Sequence, residues 1–327
     1  MRMFVLWCLL ADISAHASEV NLFNFNGNAP ANGGGGQTLI DFAAGTPAGS
    51  FATQSLNFGA NWFPNGLTSD FGADIFANIS VAAAGSYTFS TTSDDGSLLF
   101  VDGQLVVNNN NYQGPTQRTG SVFLSAGTHL LEVQYFQGLG GDYLSVPLPS
   151  GVTYVDPSME APLNIYSSLS PVTSTYPAVL PGDTFIGTIP TVNLDYGTLY
   201  GGANWFPFGE QDNFVAEMQG FFYVASSGFY TFSTTSDDGS WLFIDGSMVV
   251  NNGFFQGFSQ RTGTVFLNAG YYPFDLQYFQ GGGGAGLDLG LPAGVSIEAS
   301  PEPGTWGVVA LTLALGAGAM YKHRKLC

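Results

Sequence analysis

The sequence predicts an all-β chain of two tandem antiparallel domains, each a β-barrel or sandwich, and three observations predict it. The string Tyr87-Thr88-Phe89-Ser90-Thr91-Thr92-Ser93-Asp94-Asp95-Gly96-Ser97 returns unchanged at residues 230–240, an offset of 237 − 94 = 143. Asn61-Trp62-Phe63-Pro64 and Gln117-Arg118-Thr119-Gly120 return at the same offset, as Asn204-Trp205-Phe206-Pro207 and Gln260-Arg261-Thr262-Gly263. A period this long is a repeated domain, since solenoid units are much shorter. Second, short apolar runs alternate with turn residues and show no helical period. Third, aromatics make up 15% and charged residues only 9% of a chain with 45 glycines, a folded β-rich composition.

Residues 1–17 have the form of a secretory signal: Arg2, an apolar run, then Ala15-His16-Ala17 as the cleavage pattern. The first domain is expected over 18–154, a linker over 155–181 and the second domain over 182–298. Residues 18–55 are rich in Asn, Gly and Ala and read as loop or leader. Strands follow at 74–81 and 85–90. Two apolar runs, 98–101 and 104–107, flank Asp102-Gly103 and form a hairpin with a type I′ turn, repeated around Asp245-Gly246. An Asn-rich loop at 108–111 leads to strands at 119–124 and 128–136. The Pro- and Ser-rich stretch 155–181 is the boundary, with room for the first strands of the second copy.

Charge is lopsided. All but two of the 24 acids fall within residues 18–300, where Arg118 and Arg261 are the only Lys or Arg residues. Such a body has no basic patch for nucleic acid or anionic lipid, and cations are its natural counterions. Residues 18–300 contain no cysteine or lysine, and their single histidine, His129, gives way to Tyr272 in the second copy. Cysteine nucleophiles, Schiff bases and a His-rich zinc site are thereby excluded. Glu132 aligns with Asp275 on a predicted strand, poor support for a carboxylate-pair glycosidase, and the chain reads as a non-enzyme.

The other end carries Pro301-Glu302-Pro303, uncharged residues 304–321, then Lys322-His323-Arg324-Lys325. The uncharged stretch is just long enough to span a bilayer as a helix, with the basic end cytoplasmic. Together the three features resemble the PEP-CTERM sorting signal of Gram-negative bacteria over residues 301–327. The resemblance implies an exported protein, membrane-held until an exosortase-type enzyme processes the tail.

The repeated Asp-Asp string, followed by Leu-Phe-Val/Ile-Asp-Gly, Val-Val-Asn-Asn, Ala-Gly and Gln-Tyr-Phe-Gln-Gly, resembles the protective-antigen-type module (the PA-fourteen domain) and the adhesive domain of yeast flocculins. The resemblance covers roughly residues 56–148 and 199–291. It implies an antiparallel β fold and calcium-dependent binding of sugar hydroxyls, with Asp94, Asp95, Asp237 and Asp238 as metal ligands and each Asp-Asp peptide cis. The expected partner is a cell-surface or matrix polysaccharide. Calcium takes six to eight hard oxygens, carboxylates among them. Successive side chains of an extended strand point to opposite faces, so a cis bond or sharp loop is needed to bring both carboxylates to one ion.

The late flocculin loop corresponds to residues 138–143 and 281–286, and neither contains the Asn that flocculins use there. Asp142 aligns with Ala285, and Asp288 with Ser145. Asn108, Asn109, Asn251, Asn252, Asp142 and Asp288 are candidate ligand contacts. Trp62 and Trp205 are expected in the core. Arg118 and Arg261 are expected to clamp the Asp-Asp loop from beneath by pairing with a carboxylate.

Overall fold

A computed structural model of the chain describes residues 18–27, 39–62, 64–156 and 159–298. The signal segment 1–17, the Pro-Glu-Pro motif and the apolar stretch 304–321 lie outside these residues. Among those described, no helix is long and apolar enough to cross a membrane.

The first domain is built from β1 (Ser18–Asn24), β2 (Thr46–Thr53), β3 (Asn57–Ala60), β4 (Phe71–Val81), β5 (Gly85–Asp94), β6 (Gly96–Val101), β7 (Gln104–Asn109), β8 (Thr116–Leu124), β9 (Gly127–Gln137), β10 (Tyr143–Ser145) and β11 (Val152–Tyr154). The larger sheet runs β2-β1-β4-β9-β6-β7, with β11 also on β4, and the smaller runs β3-β10-β5-β8. Every pairing is antiparallel. The sheets are open and face each other across Val20, Leu22, Ile75, Phe89, Leu99 and Val133. The domain is therefore a sandwich; no barrel closes.

The second domain repeats this with β12 (Ala161–Ser167), β13 (Thr184–Thr191), β14 (Phe214–Val224), β15 (Gly228–Asp237), β16 (Gly239–Ile244), β17 (Ser247–Asn252), β18 (Ser259–Leu267), β19 (Gly270–Gln280), β20 (Gly286–Gly290) and β21 (Val295–Glu298). Its sheets run β13-β12-β14-β19-β16-β17, with β21 on β14, and β18-β15-β20. A one-turn helix, α1 (Tyr196–Leu199), precedes the position where β3 lies in the first domain.

The hairpin turns are as expected: Asp102 and Gly103 have φ of 50° and 71°, and Asp245 and Gly246 48° and 71°. Such paired positive values define the I′ turn and favour Asp-Gly. The stretch 18–55, expected as loop, instead supplies β1 and β2. Val20 and Leu22 of β1 are fully buried between β2 and β4. The signal was a run of only seven residues beside a glycine-rich segment whose composition masked it. The expected boundary 155–181 contains β12, the first strand of the second sheet.

Strand β4 is buried on both faces. One face meets the small sheet and the other meets the second domain, where Phe76 packs edge-on to Phe208 at 5.8 Å. Asn21 locks this junction: its side chain donates to the Thr188 carbonyl at 2.9 Å and accepts the Thr188 N–H at 2.7 Å. Asn78 donates to the Pro190 carbonyl and to Glu160, both at 2.9 Å. Buried polar side chains are thus satisfied across the domain boundary.

Candidate functional site

The repeated string spans the point where the chain leaves the small sheet on β5 and enters the large sheet on β6. Thr91 and Ser93 face inward from β5, and Ser97 faces inward from β6. Their hydroxyls form a buried chain: Ser93 to Ser97 at 2.9 Å, and Ser97 to Thr91 at 2.9 Å. Asn109 closes it, donating to Ser93 at 3.0 Å and to the Thr116 carbonyl at 2.8 Å. Ser236, Ser240, Thr234 and Asn252 repeat these contacts. Much of the repeated motif is therefore a hydrogen-bonded brace under the sheet crossing.

On this brace sit the aspartates. The Asp94–Asp95 and Asp237–Asp238 peptides are both cis. The Asp95 carboxylate is buried; its oxygens accept the Gln113 N–H at 3.0 Å and the Gly138 N–H at 2.9 Å, while its own N–H donates to Gln137 at 3.0 Å. Asp238 makes the same three bonds with Gln256, Gly281 and Gln280. Tyr135 donates to the Asp94 carbonyl and Tyr278 to that of Asp237, each at 2.5 Å. The Asn-rich loop and the glycine loop after β9 (or β19) are thus both pinned to one carboxylate.

The neighbouring carboxylate carries the electrostatic signature. Burial pushes Asp94 up, and the charges of Asp95 and then Asp142 add to it. Burial, then Asp238, pushes Asp237 up to about 6. Like charges at close quarters without a cation disfavour ionisation. The glycine loops pass tight against these oxygens: a Cβ at Gly284 would lie 2.9 Å from Asp237 Oδ2, and one at Gly138 3.2 Å from Asp95 Oδ2. Two adjacent carboxylates offer hard oxygen atoms of the kind that could hold a calcium ion. Among the described residues no cluster of three or more His, Cys, Asp or Glu side chains has metal-site geometry.

The other candidates divide. Asn109 and Asn252 are fully buried in the brace, so they hold the loop and do not reach a ligand. Asn108 and Asn251 are exposed turn caps, accepting the N–H of Asn110 and of Gly253. Asp142 comes near Asp94 but is itself buried and accepts the Trp62 N–H at 2.8 Å. Asp288 is not at the paired site; it accepts from Thr198 of α1 through both oxygens. Trp205 is buried and stacked on Tyr196, whereas Trp62 is half-buried and stacked on Phe58.

The expected arginine clamp does not form. Arg118 and Arg261 lie exposed on the edge strands β8 and β18, and the only ion pair among the described residues is His129–Asp102 at 2.6 Å. The Asp95 and Asp238 carboxylates are satisfied by backbone N–H groups, and Arg261 lies over the Phe254 ring at 4.7 Å. Arg118→Ala is accordingly expected to change stability by less than about 0.5 kcal/mol, readable as an unshifted urea midpoint. Sequence reasoning missed three partners: Gln137 and Gln280, Tyr135 and Tyr278, and the Gln113/Gln256 pair. The string Gln-Tyr-Phe-Gln at 134–137 and 277–280 held the signal, since its alternate residues share one face.

A family profile for the PA14 domain matches residues 64–158 and 174–302. The chain belongs to the PA14 domain family. Among solved structures, the PA14 sugar-binding domain from an RTX adhesin is 22% identical over 44% of this chain and 95% of its own, with a TM-score of 0.32. An anti-sigma factor domain-containing protein from Clostridium clariflavum is 15% identical over 88% of this chain and 100% of its own, at 0.33. The A domain of Epithelial Adhesin 9 from Candida glabrata, solved with Galb1-4GlcNAc, is 16% identical over 43% and 86%, at 0.30. No curated protein matches the sequence.

Raised carboxylates set a pH dependence for these PA14 domains. Besides Asp237, burial raises Asp195 to about 6, helped by Asp288 and Asp102, and raises Glu160 to about 7. A carboxyl with a raised folded pKa binds its proton more tightly in the fold than in the unfolded chain. Its penalty is absent below the unfolded value near 4, and complete above the folded value. The metal-free protein is therefore expected to lose melting temperature between about pH 4 and pH 7. A rise over that range in thermal denaturation would contradict the assignment.

Proposed function

We propose that this is an exported surface or matrix protein whose two PA14 domains bind carbohydrate through calcium held at Asp94-Asp95 and Asp237-Asp238. The observation that carries the reading is the duplicated carboxylate pair, built twice with the same hydrogen bonds and with no positive side chain within ion-pair distance among the described residues. When bound, calcium supplies open coordination positions for vicinal sugar hydroxyls. The chain's own contribution is to hold Asp95 and Asp238 by the N–H groups of two loops and to set Asp94 and Asp237 beside them.

Exposed rings surround both sites: Tyr112 in the first, Phe254 and Phe255 in the second. They offer apolar faces to a sugar ring. Two weak sites on one chain gain avidity on a polymeric glycan, which suits cohesion between cells or between cell and matrix. Residues 1–17 support export, and Pro301-Glu302-Pro303 with residues 304–327 supports membrane holding and exosortase-type sorting. The protein acts as a binding module without turnover.

The test is a glycan array probed in calcium and in chelator. Binding to particular glycans, lost in chelator, is expected. Saturable calcium uptake with no glycan retained would leave calcium as a rigidifier of a structural surface protein.

A further inference from the structure

Away from the Asp-Asp sites, a half-open cavity of about 660 Å³ lies between the two domains. Its volume is that of a small-molecule site. Asp74 from β4 and Glu132 from β9 line it, buried to 1% and 7% exposure, and they occupy neighbouring positions on one sheet face. Phe76 and Phe100 of the first domain and Trp205 and Phe208 of the second form its walls. Glu132 is supplied with donors: Tyr200 reaches it across the boundary at 2.8 Å and Gln134 at 2.7 Å. Asp74 has less: the Ile75 N–H reaches its carboxylate, but Oδ1 has no hydrogen-bond partner. A buried carboxylate oxygen without a donor is costly.

The second domain shows how the same position is filled. There Glu217 and Asp275 stand for Asp74 and Glu132, and Phe243 for Phe100. The chain lays its own Tyr176 on this pair. The ring packs 4.4 Å from Phe243 and the hydroxyl donates to Asp275 at 3.2 Å. In each domain a tyrosine hydroxyl thus donates to one acid of the pair, Tyr176 to Asp275 and Tyr200 to Glu132, and in each one carboxylate oxygen stays without a partner, Asp275 Oδ1 and Asp74 Oδ1.

In the first domain more carboxyls gather around the pair. Asp41 also lines the cavity, and Glu210 is close enough for the Asp41 charge to raise it. The only Lys or Arg residues within 18–300, Arg118 and Arg261, lie on the small sheets. A metal ion would account for the acids but not for the aromatic walls, whereas an organic cation uses both.

We propose that this interdomain cavity binds a small organic cation, with its ammonium group at Asp74 and Glu132 and its apolar frame against Phe76 and Phe100. The site is separate from the proposed calcium centres and does not depend on them. The test is calorimetric titration of the full chain in chelator with tyramine, and with 4-ethylphenol as the uncharged ring. Tyramine is expected to bind saturably at one site, at least about tenfold more tightly than 4-ethylphenol. Asp74→Asn should weaken tyramine by about tenfold or more. Gln211→Trp, which narrows the cavity from an exposed lining position, should also weaken it and keeps the test open if Asp74→Asn fails to fold. No saturable tyramine binding, equal affinity for the two probes, or undiminished binding in Gln211→Trp would overturn the proposal.

Discussion

Replacing Asp95 and Asp238 by alanine is expected to abolish calcium binding and to destabilise both domains together. Each carboxylate accepts backbone N–H groups from two separate loops, Gln113 and Gly138 in the first domain and Gln256 and Gly281 in the second. Truncation strands these donors in a mostly buried site, at about 1–3 kcal/mol for each one left unsatisfied. Loss of calcium binding in that variant therefore does not separate ligand from scaffold. Asp94→Asn with Asp237→Asn does. These side chains carry the like-charge repulsion, so their neutralisation is expected to leave the metal-free melting temperature unchanged or higher while eliminating calcium binding. Calorimetric titration beside a melting curve reads both quantities. Undiminished calcium uptake in the Asn variant would remove the aspartate pair from the proposed centre.

The second large effect belongs to the repeated Gln-Arg-Thr-Gly motif, and it lies in the glycine. A Cβ at Gly120 would sit 1.8 Å from the Val106 carbonyl oxygen, and one at Gly263 1.7 Å from that of Val249. In each domain an edge strand of the small sheet, β8 or β18, crosses here onto the last strand of the large sheet, β7 or β17. The obstacle is backbone, so no rotamer change relieves it. Alanine at either position is expected to cost about 3 kcal/mol or more, the upper end for overpacking. Gly114→Ala is the control, since nothing lies within 4 Å of its Cβ position. Urea midpoints read the difference; a loss below about 1 kcal/mol for Gly263→Ala would mean that the strands part more easily than their packing indicates.

Both predictions show where residue patterns stop being informative. The arginine of Gln-Arg-Thr-Gly drew attention because it was the rare charge, yet it projects from an edge strand into solvent. The glycine beside it is ordinary in a chain with 45 of them, and only the crossing of two sheets gives it a role. The same holds for Asn109 and Asn252. A polar run between strands reads as a ligand-facing loop, but each of these side chains turns inward to complete the hydroxyl brace.

The sequence by itself determined the duplication, the all-β class, the Asp-Gly hairpins and the position of the aspartate pairs. These are local properties, carried by exact repetition, by alternation and by turn chemistry that acts over a few residues. Only the tertiary structure decided that the sheets remain open, that β1 and β2 arise from a glycine-rich stretch, and that Gln137, Gln113 and Tyr135 meet at one loop. It alone joined the two domains through Asn21 and Asn78 and enclosed Asp74 between them. Those arrangements depend on which strands become neighbours, with partners separated by up to 167 positions along the chain. Spacing along a sequence carries no record of such contacts; they follow from the burial of both faces of β4 once the second domain has packed against the first.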